Sequence, residues 1–196
     1  MGAGPPGNAV AGPGPAVDHR PVDTVEIRLL EKADAVVIAE AFAALGWPGK
    51  TVAQYERYLA DQEAGRRLIF VATLGEVFAG YVTVEWISGY RPFREQSIPE
   101  ITDLNVLPPY RRRHVATALV DAAEAAIAER SQTAGIGVGL YADYGPAHLM
   151  YLARGYRPDG RGITYQAETV APGTTVRVDD DLVLMMSRQL GKSAAS

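Results

Sequence analysis

Cysteine is absent from this 196-residue chain, which excludes disulfides, thiolate zinc sites, iron–sulfur clusters and a cysteine nucleophile. A basic excess is absent too: 19 Lys+Arg against 23 Asp+Glu leave a net charge of −4, the wrong sign for a protein held to nucleic acid by phosphate contacts. No apolar run approaches the roughly 18 residues that a membrane span needs. The opening stretch MGAGPPGNAVAGPGPAVDHRPV carries neither the basic region nor the continuous apolar region of a secretory signal. His19, His114 and His148 lie far apart, so no shared metal site is expected, and neither G-x-S-x-G nor H-E-x-x-H occurs to serve a hydrolase. These absences predict a cytoplasmic protein with no metal, no nucleic-acid partner and no membrane partner. The slightly acidic balance suits an amine-bearing partner.

With 47% hydrophobic residues, what is present is the composition of one globular domain. Ten of the first 22 residues are Gly or Pro, too little bulk to order a backbone, so 1–22 reads as a flexible tail and 191–196 as a frayed C-terminus around a domain at 23–190. Val25–Leu30 alternates as a strand, and Val37, Ile38, Ala41, Phe42 and Leu45 then recur at helical spacing. Thr51 is placed to cap a second helix carrying Val52, Tyr55 and Leu59 on one face. Strands are expected at 67–73 and 76–87, an aromatic and basic loop at 88–97, and a strand at 100–107 stopped by Pro108-Pro109. An amphipathic helix follows at 115–130, a strand at 135–142, a helix at 146–153, a strand from Tyr156 and a last strand at 182–187. The fold class is α/β, with 100–107, the long helix and 135–142 forming a crossover between parallel neighbours.

Residues 101–120 run from a strand through a basic turn into that helix. The unpaired N–H groups and positive dipole end of the helix meet Arg111, Arg112 and Arg113 there, a place where a phosphate can sit. Neither GxxxxGK[ST] nor GxGxxG is present, so this is not a Walker loop or a dinucleotide fingerprint.

The segment resembles the acetyl-CoA-binding motif of the GNAT superfamily of N-acetyltransferases, a strand of the form LxVxPxYR leading into Q/R-x-x-G-x-G/A and a helix. Leu104, Val106, Pro108, Tyr110 and Arg111 match its strand part, and Arg111 to Ala116, followed by Thr117, match its loop. Residues 145–156, with Ala147, Leu149, Tyr151 and Gly155-Tyr156, resemble the second motif of the family. His114 stands where the family pattern has its first loop glycine, so its Cβ and ring must point away from the phosphates or replace a contact.

The resemblance implies the GNAT fold: a central mixed, mostly antiparallel twisted sheet of about seven strands flanked by about four helices, with a splayed parallel pair binding coenzyme A. It implies acetyl-CoA as cosubstrate, with Asn105, Val106 and Leu107 pairing with the pantetheine arm. Arg111, Arg112, Arg113, His114, Val115, Ala116 and Thr117 would hold the phosphates. Glu100 stands at the offset of the general base in the histone acetyltransferase branch, with Asp103, Glu85 or water as alternatives. Tyr151 occupies the place of the general acid. Trp47, Tyr55, Glu85, Trp86, Tyr90, Phe93 and Asp103 would line the acceptor site. The acceptor is then the primary amine of a small molecule, or alternatively of a peptide or protein. A non-catalytic acyl-CoA-binding module and a homodimer stay open.

Overall fold

A computed structural model describes residues 24–47 and 49–191. The expected tail at 1–22 lies outside the described residues, as does the expected frayed end at 191–196 apart from Gly191. In chain order the elements are β1 Val25–Leu29, α1 Asp34–Ala43, α2 Val52–Glu63, β2 Arg67–Leu74, β3 Val77–Glu85, α3 Arg91–Glu95 and β4 Glu100–Val106. These are followed by α4 Val115–Ala128, β5 Thr133–Gly139, α5 Gly145–Ala153, β6 Arg157–Tyr165, β7 Glu168–Thr169 and β8 Leu182–Gln189.

The strands form one sheet in the order β1-β2-β3-β4-β5-β8-β6-β7. Only β4 and β5 run parallel, and they pair solely at Glu100↔Gly135 and Ile101↔Ile136 before parting. Among the described residues there are eight strands and five helices, against about seven and four expected. The additions are short. Two residues in β7 cannot display a strand period, and five in α3 cannot display a helical one. The turn of α3 closes inside the segment read as a loop because Pro92 is suited to a first helical turn and Phe93 is buried. No helix among the described residues is long and apolar enough to cross a membrane.

Alternation along the strands divides the core between two faces. On one, Val115, Leu119, Val120, Ala123 and Ile127 of α4 pack on Ala72, Val82, Val84, Ile101, Ala134, Ile136 and Met186. On the other, Ile38 and Phe42 of α1 and Tyr55 of α2 cover Ile69, Val71, Phe78 and Tyr81. Further along this second face, Tyr90 and Phe93 pack on Met185. Phe93 lies so close over Gly135 that a Cβ there would fall 2.4 Å from its ring, which explains glycine at the position where β4 and β5 are still joined. Thr51 caps α2 as its sequence predicts, accepting from the backbone N–H of Gln54 at 3.3 Å.

Candidate active site

A row of residues crosses the sheet in direct register on the α2 face: Arg67 of β2, Glu85 of β3, Glu100 of β4 and Gly135 of β5. Two like charges, Glu85 and Glu100, therefore stand opposite each other, an arrangement that costs stability unless one is compensated. Arg67 supplies the compensation to Glu85, with its guanidinium 2.6 Å from Oε1. Among the described residues Glu100 receives no such partner. It is buried, and its carboxylate accepts a hydrogen bond from the Ser88 hydroxyl, itself buried. Burial pushes the Glu100 carboxyl up to about 7; the Ser88 hydrogen bond opposes this and the Glu85 charge adds to it.

Glu100 and Asp103 differ by an odd number of positions, so an unbroken strand would send them to opposite faces. A bulge brings them together: Tyr81 pairs with Asn105 but Thr83 pairs with Thr102, so β4 spends one more residue than β3 over this stretch. Asp103 lies there with a left-handed φ of 52°, a conformation Asp tolerates better than most residues. Ile101, Leu104 and Val106 pack toward α4, while Asp103 turns to the α2 face.

Asp103 is crowded with donors. Lys50, from the loop between α1 and α2, places Nζ 2.5 Å from its Oδ1, and Asn105 Nδ2 donates to the same oxygen at 2.8 Å. Its Oδ2 accepts from the Tyr81 hydroxyl at 2.7 Å and the Tyr58 hydroxyl at 3.0 Å. Lys50 also donates to the Tyr81 oxygen at 2.8 Å, and Tyr55, Tyr58 and Tyr81 meet edge to face. Arg67 joins the two acidic centres, since its guanidinium lies 4.4 Å above the Tyr58 ring. Lys50, Tyr58, Arg67, Tyr81 and Ser88 were not singled out by the sequence as site residues. The strand period does give a signal for Tyr81, which shares a face with Thr83 and Glu85.

The aromatic residues expected at the acceptor site are dispersed. Trp86 follows Glu85 in the chain and so points to the opposite face, against the α4 core, with the Arg130 guanidinium 4.1 Å above its ring. Tyr90 and Phe93 are buried as packing residues, and the Tyr90 hydroxyl donates to Asp159 at 2.8 Å. Trp47 stacks on Phe42 with centroids 5.5 Å apart and remains partly exposed, in the same loop as Lys50.

Beyond Ile101 and Ile136 the parted strands expose the β5-facing side of β4 along the stretch holding Asn105 and Val106. The chain continues through Leu107 and a 3-10 turn, Pro108–Tyr110, to the N-terminus of α4. No side chain caps that helix, so the first-turn N–H groups of Val115, Ala116 and Thr117 are left for a ligand or solvent. Arg111, Arg112, Arg113 and His114 are exposed around them, and Arg111 Nε donates to the Val106 carbonyl at 3.2 Å. Both the strand gap and the uncapped, arginine-rich helix start fit a long ligand ending in phosphates. Tyr151 of α5 is buried on the α4 side, its ring 6.0 Å from that of Tyr156.

His114 occupies the N-cap with φ 61° and ψ 10°, the left-handed conformation that a glycine would adopt without steric cost. Replacing it with Gly should therefore stabilise the fold by about 1 kcal/mol, or roughly 2–4 °C in a thermal melt. An unchanged or lower Tm would show that the imidazole makes a compensating contact.

A family model described as the acetyltransferase (GNAT) family matches residues 36–156, more than half of the chain. The structure resembles yncA from Salmonella typhimurium, solved with its cofactor acetyl-CoA: TM-score 0.59, 19% identity, 87% of this chain and 96% of that one covered. A chimera of the spermidine N-acetyltransferase SpeG from Vibrio cholerae with hSSAT gives 0.61 at 16% identity, over 84% of this chain and 95% of that one. RimL, a ribosomal L7/L12 alpha-N-protein acetyltransferase, gives 0.62 at 12% identity, over 85% and 94%. No curated protein matches the sequence at significant similarity. With the family model covering both motifs and the fold shared along nearly the whole domain, the chain belongs to the acetyltransferase (GNAT) family and is an acyltransferase.

Proposed function

We propose that the protein is an acetyl-CoA-dependent N-acetyltransferase acting on the primary amine of a small molecule, with Glu100 as general base and Tyr151 as general acid. The observation that carries this reading is the state of Glu100. Of the three carboxylates Glu85, Glu100 and Asp103 it is the one without a cation partner among the described residues, and a pKa of about 7 lets it hold or release a proton at neutral pH.

Acetyl-CoA, when bound, supplies the acetyl thioester. Asn105, Val106 and Leu107 offer it the open edge of β4, and Arg111, Arg112, Arg113, His114 and the first-turn N–H groups of Val115, Ala116 and Thr117 hold its phosphates. Glu100, directly or through a water, takes the proton that an ammonium must lose before its nitrogen can attack. Tyr151 lies on the α4 face, in the place that the resemblance gives to the general acid, and in this reading it gives a proton to the departing sulfur. Burial raises the Tyr151 pKa and keeps that proton in place at neutral pH.

The test is coenzyme A release measured across a panel of monoamines, diamines and short peptides with free N-termini, alongside thermal shift with acetyl-CoA. The expected result is stabilisation by acetyl-CoA and amine-dependent release with at least one small amine. Release with peptides alone would transfer the reading to a protein acetyltransferase. Stabilisation without release from any acceptor would leave a coenzyme-binding module.

A further inference from the structure

Three carboxylates on one face would make an acceptor pocket that gathers positive charge, and such a pocket suits an amine with several ammonium groups. The ion pairs argue otherwise. Glu85 is occupied by Arg67 and Asp103 by Lys50, and both cations come from outside β3 and β4, so the pairing is a feature of the assembled fold. The two oxygens of Asp103 already accept from Lys50, Asn105, Tyr58 and Tyr81, leaving little room for an incoming donor. With side chains 22% and 19% exposed, the Lys50–Asp103 pair lies in reach of whatever enters the face rather than sealed beneath it.

We infer that Lys50 is a specificity-determining residue that restricts the acceptor to amines bearing a single positive charge. One carboxylate, Glu100, is left to meet one ammonium. A second ammonium that reached along the face to this pair would meet Lys50 where its absence would offer a bare Asp103, and like charges repel. The uncharged remainder of the acceptor has the half-buried ring of Tyr58 beside it, backed by the buried rings of Tyr55 and Tyr81. This inference rests on the N-acetyltransferase reading above, and it adds the class of amine.

The experiment compares n-butylamine with 1,4-diaminobutane, which differ by one ammonium, on the full chain and on Lys50→Met, Lys50→Gln and Lys50→Arg. The expected result is that the ratio of kcat/KM for the diamine to that for the monoamine rises at least tenfold in Lys50→Met and stays at the wild-type value in Lys50→Arg. Lys50→Gln keeps an N–H for Asp103 without the charge, so it gives the same rise if Lys50→Met proves unstable. A second readout needs no turnover: calorimetric titration should show the diamine binding at least tenfold tighter to the uncharged variants than to the wild type, with a smaller gain for the monoamine. An unchanged ratio, or equal diamine binding by wild type and uncharged variants, would overturn the role of Lys50. If no protein of the set turns over either amine, the reading as an acetyltransferase of simple alkylamines fails while the titration still decides the discrimination.

Discussion

Glu100→Gln should lower kcat/KM near pH 7 by about 100- to 10,000-fold, the range for loss of an acid–base group. A base works in its deprotonated form, so with a pKa of about 7 the wild-type rate should climb as pH rises through neutrality and level off above it. The variant should lack that limb. Its deficit should shrink toward pH 10, where an alkylamine acceptor deprotonates without help, at roughly its own pKa of about 10. A profile in Glu100→Gln that matches the wild type would remove Glu100 as base. Glu85 and Asp103 would be poor replacements while Arg67 and Lys50 remain on them, which would point to an ordered water.

The same substitution should change stability in the opposite direction to activity. Glu100 is an acid whose folded pKa is raised, from 4.5 to about 7, so the folded state holds its proton over a range where the unfolded state has released it. Stability from this group is therefore full below about 4.5 and declines as pH rises toward 7, by about 3 kcal/mol in all. Gln stays neutral and can still accept from Ser88. Melting curves of the two proteins should converge near pH 4.5 and separate by several degrees at pH 8, with Glu100→Gln the more stable. Convergence at every pH would mean that the buried carboxylate carries no desolvation cost.

Elements whose evidence is local were legible in the sequence. The Thr51 cap, the amphipathic α4 and the basic turn ahead of it each depend on residues within a few positions of one another, and each lies where its pattern indicates. His114 was legible in a finer sense: its place in the loop pattern called for glycine, and it adopts the left-handed φ that glycine favours. What was not legible depends on register. Strand parity places Trp86 opposite Glu85, whereas the sequence reading puts both at the acceptor site, one for its ring and the other for its charge. The bulge at Asp103 reverses parity inside β4, and no turn residue in the sequence announces it. The neutralisation of Glu85 and Asp103 required knowing that Arg67 and Lys50, distant in sequence, arrive on the same face. Phe93 had the signature of an exposed loop aromatic, and only its position over Gly135 identifies it as packing.

Tyr151→Phe should lower kcat by about 10- to 10,000-fold while leaving the KM for acetyl-CoA nearly unchanged. The expectation follows from what the substitution removes. The ring and its packing against Tyr156 persist, and among the described residues no protein hydrogen bond to the Tyr151 hydroxyl is made, so the fold should lose little. The Tyr151 ring is buried, but its hydroxyl is not among the buried polar atoms left without a partner, whereas that of Tyr156 is, so removing it neither breaks a protein hydrogen bond nor relieves an unsatisfied one. The Tm of Tyr151→Phe should accordingly stay close to that of the wild type. Burial raises the Tyr151 pKa, so its proton is present across the neutral range and its loss should depress the whole pH–rate profile rather than one limb. Rapid-mixing assays should then find acyl transfer slowed by the same factor as kcat. Wild-type turnover in Tyr151→Phe at every pH would show that Tyr151 only packs, and a lower Tm with unchanged kcat would assign its hydroxyl to structure.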